Sequence, residues 1–111
     1  MSNKWVYVFD DEENTIDNFL LMWKVNIEML IAKKERCVIV MDVSNTNIFS
    51  MSKIMKIIGF ISSNKRKLKE CSEKIQILTS TDRQVKMIQS ALSLSPVRIC
   101  EFDILKNVND V

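Results

Sequence analysis

The chain has 111 residues, 47% of them apolar and 27% charged, with a formal net charge of +2. That describes one globular domain rather than a disordered chain, and so small a charge creates no field that favours nucleic acid or anionic lipid. Histidine is absent and there is a single glycine, which removes every Ser-His or Cys-His nucleophile and any Gly-rich phosphate cradle.

Residues 4–9, KWVYVF, are β-branched and aromatic and predict a first strand. Asp10, Asp11, Glu12 and Glu13 end it. A helix is predicted over 15–34, because Ile16, Phe19, Leu20, Trp23, Ile27, Leu30 and Ile31 recur at i, i+3, i+4, i+7 spacing. Asn14 or Thr15 suits its start. Lys33, Lys34 and Arg36 suit its negative end. The run CVIVMDV, 37–43, is apolar up to Asp42 and is expected to form a central strand buried on both faces. Helical spacing returns over 50–70. Ile54, Ile57, Ile58, Ile61 and Leu68 share one face, and Lys65, Arg66, Lys67 and Lys69 crowd the last turns. Gly59 lies inside this helix and is expected to permit close packing at a cost in propensity.

KIQILTS, 74–80, reads as the third strand. Ser80 or Thr81 then caps a helix of about 82–94 with Val85, Ile88 and Leu92 inward, and Pro96 stops it. VRICEF, 97–102, alternates like an edge strand, and the tail from Leu105 is expected to fray. The order β-α-β-α-β-α-β implies a single α/β domain, with a four-stranded, mostly parallel sheet joined by right-handed crossovers. The order of strands in the sheet is not legible.

Cys37, Cys71 and Cys100 are odd in number and far apart. They imply neither a disulfide framework nor a zinc site, but reduced thiols of a cytoplasmic, intracellular protein. No apolar run approaches the roughly 20 residues of a membrane span, and the N-terminus has no signal-peptide pattern. Abundant Lys, Asn, Ile and Ser fit an AT-rich coding genome, as in a virus or parasite. No cofactor and no small-molecule substrate are implied.

Ligands of open α/β sheets gather beyond the carboxyl ends of the strands. Asp10, Asp11 and Asp42 would meet there, and carboxylates so grouped can hold Mg²⁺. VFDDE resembles the first-strand acidic pair of response-regulator receivers, so a phosphoryl-accepting domain is one alternative. The pattern then departs: the next strand-end aspartate comes one strand early, and Val97-Arg98 stand where a lysine would follow strand four. Acids at a helix start also favour its positive end without any ligand. The basic cluster 65–69 has a similar electrostatic reason at a helix C-terminus, and no interleaved aromatics offer base stacking. The first helix carries a less ordinary signal. Leu21, Met22, Val25 and Met29 form a second stripe opposite its core side. An apolar outer face implies a protein partner or self-association, and methionines make it adaptable.

Residues 42–54 run from a strand ending Asp42-Val43-Ser44, through the loop Asn45-Thr46-Asn47-Ile48-Phe49, into Ser50-Met51-Ser52-Lys53-Ile54. This resembles the D-L-S strand end and D-S-S-G-L helix start of STAS domains, the anti-sigma-factor-antagonist and sulfate-transporter module. The similarity extends over roughly 15–103. It implies a non-enzymatic protein–protein interaction module, regulatory or assembly-related, with contacts from Ser44, Asn45, Asn47, Phe49, Met51, Lys53 and Lys56. It also puts the family's phosphorylated serine at Ser52, beside Ser50. Ser50, Met51 and Lys53 stand where the motif has aspartate, serine and glycine, and one N-terminal strand precedes the first helix where the family usually has two. Phosphate on Ser52 would bring about −1.5 to −2 charges to a helix N-terminus; unmodified, Ser50 or Ser52 is an ordinary N-cap. A third reading is a carrier of a small apolar ligand, since SEC14-like lipid binders share this general topology. A chain this short leaves little room for a lipid cavity.

Overall fold

The structure, a computed structural model, describes residues 3–11, 15–46, 50–94 and 100–106. The elements in chain order are β1 (Asn3–Val8), α1 (Thr15–Lys33), β2 (Cys37–Asp42), α2 (Met51–Ser63), α3 (Lys65–Cys71), β3 (Ser72–Thr79), α4 (Asp82–Leu94) and β4 (Glu101–Lys106). The strands form one sheet in the order β1-β2-β3-β4, and every neighbouring pair is parallel. The α/β architecture expected from the alternating pattern is therefore present.

The sequential order has a consequence for packing. Strands that advance in one direction with crossovers of one hand place all their helices on one face. The burial follows that rule. Trp5, Ile39, Ile75 and Phe102 form one row across the sheet, and Tyr7, Met41, Ile77 and Ile104 the next. All eight belong to, or pack against, the single core cluster. The residues between them face away from the helices: Lys4, Val6 and Val8; Val38, Val40 and Asp42; Lys74, Gln76 and Leu78; Asp103 and Leu105. Val6 and Val8 are half-exposed there. β2 is an interior strand with no exposed residue, although its second face meets no helix among the described residues and Val38 and Asp42 there are half-buried. Val40 is buried there, with Val6 and Gln76 beside it in register.

α1 fixes β1 to the core. Phe19 is fully buried, with its ring centroid 5.6 Å from Trp5, 5.0 Å from Tyr7, 4.9 Å from Phe9 and 5.2 Å from Trp23. Burying a side chain of this size contributes about 1.5–3 kcal/mol. The helix ends where Lys34 turns left-handed (φ 56°), which lets Glu35 N–H reach the Leu30 carbonyl at 2.9 Å. This is the closing bond of a Schellman motif.

The helix expected over 50–70 is two helices. Asn64 breaks it, with φ −113° and ψ 21°, and its Nδ2 donates to the Phe60 carbonyl at 2.9 Å. An asparagine side chain that competes for a backbone acceptor in this way interrupts a helix. The basic cluster therefore belongs to a separate short helix, α3, where Lys67 pairs with Glu28 of α1. Gly59 is exposed, and a Cβ built there meets nothing within 4 Å, so the glycine serves no close packing.

α4 begins at a Thr81 cap, whose Oγ1 accepts from Gln84 N–H at 3.2 Å. Its buried residues are Gln84, Ile88 and Ala91. Leu92 packs at the margin of the core, and Val85, expected inward, is only half-buried. β4 runs over 101–106 rather than 97–102. Residues 95–99, with the expected Pro96 stop and the start of that strand, lie outside the described residues, as do Glu12, Glu13 and Asn14. Leu105 and Lys106, expected in a fraying tail, instead complete the strand: Thr79 Oγ1 donates to the Leu105 carbonyl at 3.0 Å, and Lys106 Nζ lies 3.0 Å from Asp82. β4 is an edge strand, as its alternation implies.

Candidate interaction surface

The carboxyl ends of β1, β2 and β3 do converge, but their polar groups bind one another. Asp42 Oδ1 accepts from the Ser44 N–H at 3.0 Å and from the Ser44 hydroxyl, an Asx turn. Thr46 Oγ1 donates to Asp11 Oδ1 at 2.6 Å. Ser80 Oγ donates to the Ser44 carbonyl at 2.9 Å. Buried Gln84 donates from Nε2 to the carbonyls of Val43 and Thr46, while its Oε1 accepts the Ser80 N–H at 2.7 Å. Asp10 is exposed beside this network. Among the described residues no group of three or more His, Cys, Asp or Glu is arranged to hold a metal ion.

The start of α2 is capped as the sequence implies. Ser50 is extended, and its Oγ accepts from Lys53 N–H at 3.4 Å. Ser52 is exposed on the first turn, its Oγ 3.1 Å from that of Ser50. The residues expected to make contacts here differ in exposure. Met51 packs against the core cluster. Lys56 is exposed but lies 3.0 Å from Asp17, tying α2 to α1. Asn45 is exposed, while Ser44 and Lys53 are half-buried. Asn47 and Phe49 lie outside the described residues.

The second stripe of α1 is where the sequence places it. Leu21, Met22, Val25 and Met29 are 65%, 50%, 57% and 50% exposed. With Trp5 and Asn26 they line a shallow groove of about 400 Å³. The charged flank of α1, Asp17 and Glu28, faces α2 and α3 through its ion pairs with Lys56 and Lys67. The groove lies on the other flank, against Trp5 of β1. Asn26 Nδ2 is buried with no hydrogen-bond partner. The groove and the capped helix start are two separate surfaces.

No family model matches the chain. No curated protein and no solved structure is significantly similar to it. The geometry is what argues for a role.

Trp5, Asn26, Val6 and Val8 escaped the sequence reading. Asn26 follows Met22 at i+4 and so was findable. The strand residues were not, because their exposure depends on the edge position of β1 and on a sheet face without helices. The thiols were also misleading in sequence. Cys37 starts β2, Cys71 directly precedes β3 and Cys100 directly precedes β4, so three distant cysteines gather at one end of the sheet. Burial raises the pKa of all three, that of the half-buried Cys100 to about 11, and thiols held neutral are poor nucleophiles.

Proposed function

We propose that this chain is a non-enzymatic protein-interaction module, STAS-like in its strand–loop–helix pattern, that docks through the margin formed by α1 and β1. One observation carries the reading. Of the eight large hydrophobic side chains exposed among the described residues, four (Leu21, Met22, Val25 and Met29) form one stripe on α1 beside Trp5 of β1, and two more, Val6 and Val8, lie on the other face of β1. Scattered exposed apolar residues need no explanation, whereas a contiguous group marks a contact surface. Ser52 belongs to the same proposal as a regulatory position, an exposed hydroxyl on the first turn of α2.

The phosphoryl-accepting alternative has less to draw on, since Asp42 and Asp11 already accept internal hydrogen bonds. A lipid carrier has less still. The apolar cavity between α2, α4 and the sheet holds about 30 Å³, room for about one water and not for an acyl chain.

A photo-reactive benzoylphenylalanine at Val25, compared with one at the exposed Arg83 of α4, tests the proposal in cells that express the chain. Cross-linked adducts at position 25 and not at 83 are expected, whether to another protein or to a second copy. No adduct at 25, or equal yields at both positions, would overturn it.

A further inference from the structure

The two edges of the sheet are not alike. β4 carries Glu101, Asp103 and Lys106, with Lys74 bridging the first two and Asp82 meeting the third. Charged side chains of this kind keep an edge from pairing with another chain. β1, Asn3–Val8, has Lys4 as its sole charge and is otherwise aromatic and β-branched. Among the described residues no strand pairs with its outer side. Phe9 N–H donates to the Asp42 carbonyl at 2.8 Å, so strand alternation turns the N–H and C=O groups of Lys4, Val6 and Val8 to the free edge. No proline or bulge protects them.

The α1 groove opens on this same edge, and two of its methionines flank its asparagine. Met22 and Met29 lie one turn before and one turn after Asn26, and Trp5 forms the wall toward β1. An antiparallel copy of the same helix that sets Met22 against Met29 twice also brings the two Asn26 side chains beside the axis, offset by about one residue's rise of 1.5 Å. An asparagine amide is its own complement: the Nδ2 that lacks a partner here meets the Oδ1 of an identical side chain once the amide turns toward the axis. No other partner is specified so directly by the groove's own residues, and a single Asn in an apolar helix seam is a known device for fixing register.

We propose that the partner is a second copy of this chain, joined by antiparallel β1–β1 pairing and by α1–α1 packing centred on Asn26. This rests on the reading of the α1–β1 margin as the contact surface and names its occupant. The geometry is self-consistent. Paired strands sit about 4.8 Å apart, and helices overlying such a seam from either side approach the 8–10 Å at which helices pack. The result is an eight-stranded sheet with a two-fold axis. That contact closes on itself, whereas β1-to-β4 pairing would propagate without limit. On the helix-free face, Val6 and Val40 of one copy continue into those of the other as one apolar row.

Sedimentation equilibrium of the full chain across micromolar to near-millimolar concentration tests the proposal, together with hydrogen exchange of individual amides. A two-chain mass is expected, with the Lys4, Val6 and Val8 amides exchanging more slowly as the dimer fills. Met22→Glu/Met29→Glu should be monomeric with unchanged circular dichroism. Asn26→Asp should weaken the dimer by about tenfold or more through like charges on the axis, whereas Asn26→Leu should retain it. Should the double variant fail to fold, the exchange data and the Asn26 pair still decide. A wild-type monomer over the whole range overturns the proposal, as does a dimer with freely exchanging β1 amides or one indifferent to Asn26→Asp. In any of these cases cross-linking from Val25 to a different protein would leave the interaction module standing.

Discussion

Gln84 of α4 holds the carbonyl of Val43, 41 residues earlier in the chain, with a 2.9 Å hydrogen bond from Nε2. The assignment of its amide is fixed by its surroundings, because Nε2 faces two carbonyls and Oε1 faces the Ser80 N–H. A T-x-x-Q start usually turns the glutamine back onto the cap residue. Here it reaches past Thr81 to the end of β2 and fastens α4 to the loop after that strand.

Gln84→Leu should therefore be costly although leucine is apolar and of similar size. It strands the Val43 and Thr46 carbonyls and the Ser80 N–H. A buried group left unpaired costs about 1–3 kcal/mol, and partial access to water at the loop brings the total toward about 2–3 kcal/mol. Urea unfolding should show a lower midpoint with an unchanged slope. A variant as stable as wild type would mean that the loop does not depend on this side chain.

Lys34 occupies the left-handed position that ends α1. Glycine adopts that conformation without the Cβ clash. Lys34→Gly should stabilise the fold by up to about 1 kcal/mol, read as a rise in melting temperature. A fall would show that the lysine side chain contributes more than its backbone conformation costs.

Gly59 offers the converse. It sits exposed in the middle of α2, where an added Cβ meets open space. Gly59→Ala should stabilise by about 0.5–1 kcal/mol, the difference in helix propensity. Thermal unfolding of the single and combined variants should also show additivity, because one position ends α1 and the other lies within α2.

The thiols set a pH dependence. Burial raises the pKa of Cys37, Cys71 and Cys100 above the ordinary value of 9.0, that of Cys100 to about 11. The folded state thus holds the neutral thiol more firmly than the unfolded chain does. The associated stability is complete below pH 9 and declines as pH rises toward 11. Denaturation midpoints measured from pH 7.5 to 10.5 should fall over the upper part of this range, and Cys100→Ser should flatten the decline. Alkylation at pH 8 should be slow in the native protein and fast in denaturant.

Much of this molecule was legible in its chain. The helical stripe Ile16–Phe19–Trp23–Ile27–Leu30, the β formers of 37–42 and the serine cap at Ser50 depend on local periodicity and on side chains close in sequence. The outer stripe of α1 was legible for the same reason, since two stripes on one helix need only the 3.6-residue period. The break at Asn64 was local too, but a strong apolar face running on to Leu68 concealed it.

Strand order was decided only in three dimensions. Sequence alternation states that strands and helices succeed one another; which strands are neighbours depends on how the packed layers share their apolar surface. The order β1-β2-β3-β4 placed every helix on one face, left Val6 and Val8 on the other, and made β1 an edge. It brought Trp5 and Asn26 to the same groove as Met22 and Met29, and it drew Asp11 and Gln84 into bonds that span tens of residues. Periodicity along the chain fixes which face of an element is apolar. Whether that face is then covered depends on what the fold sets beside it, and long-range packing alone determines that.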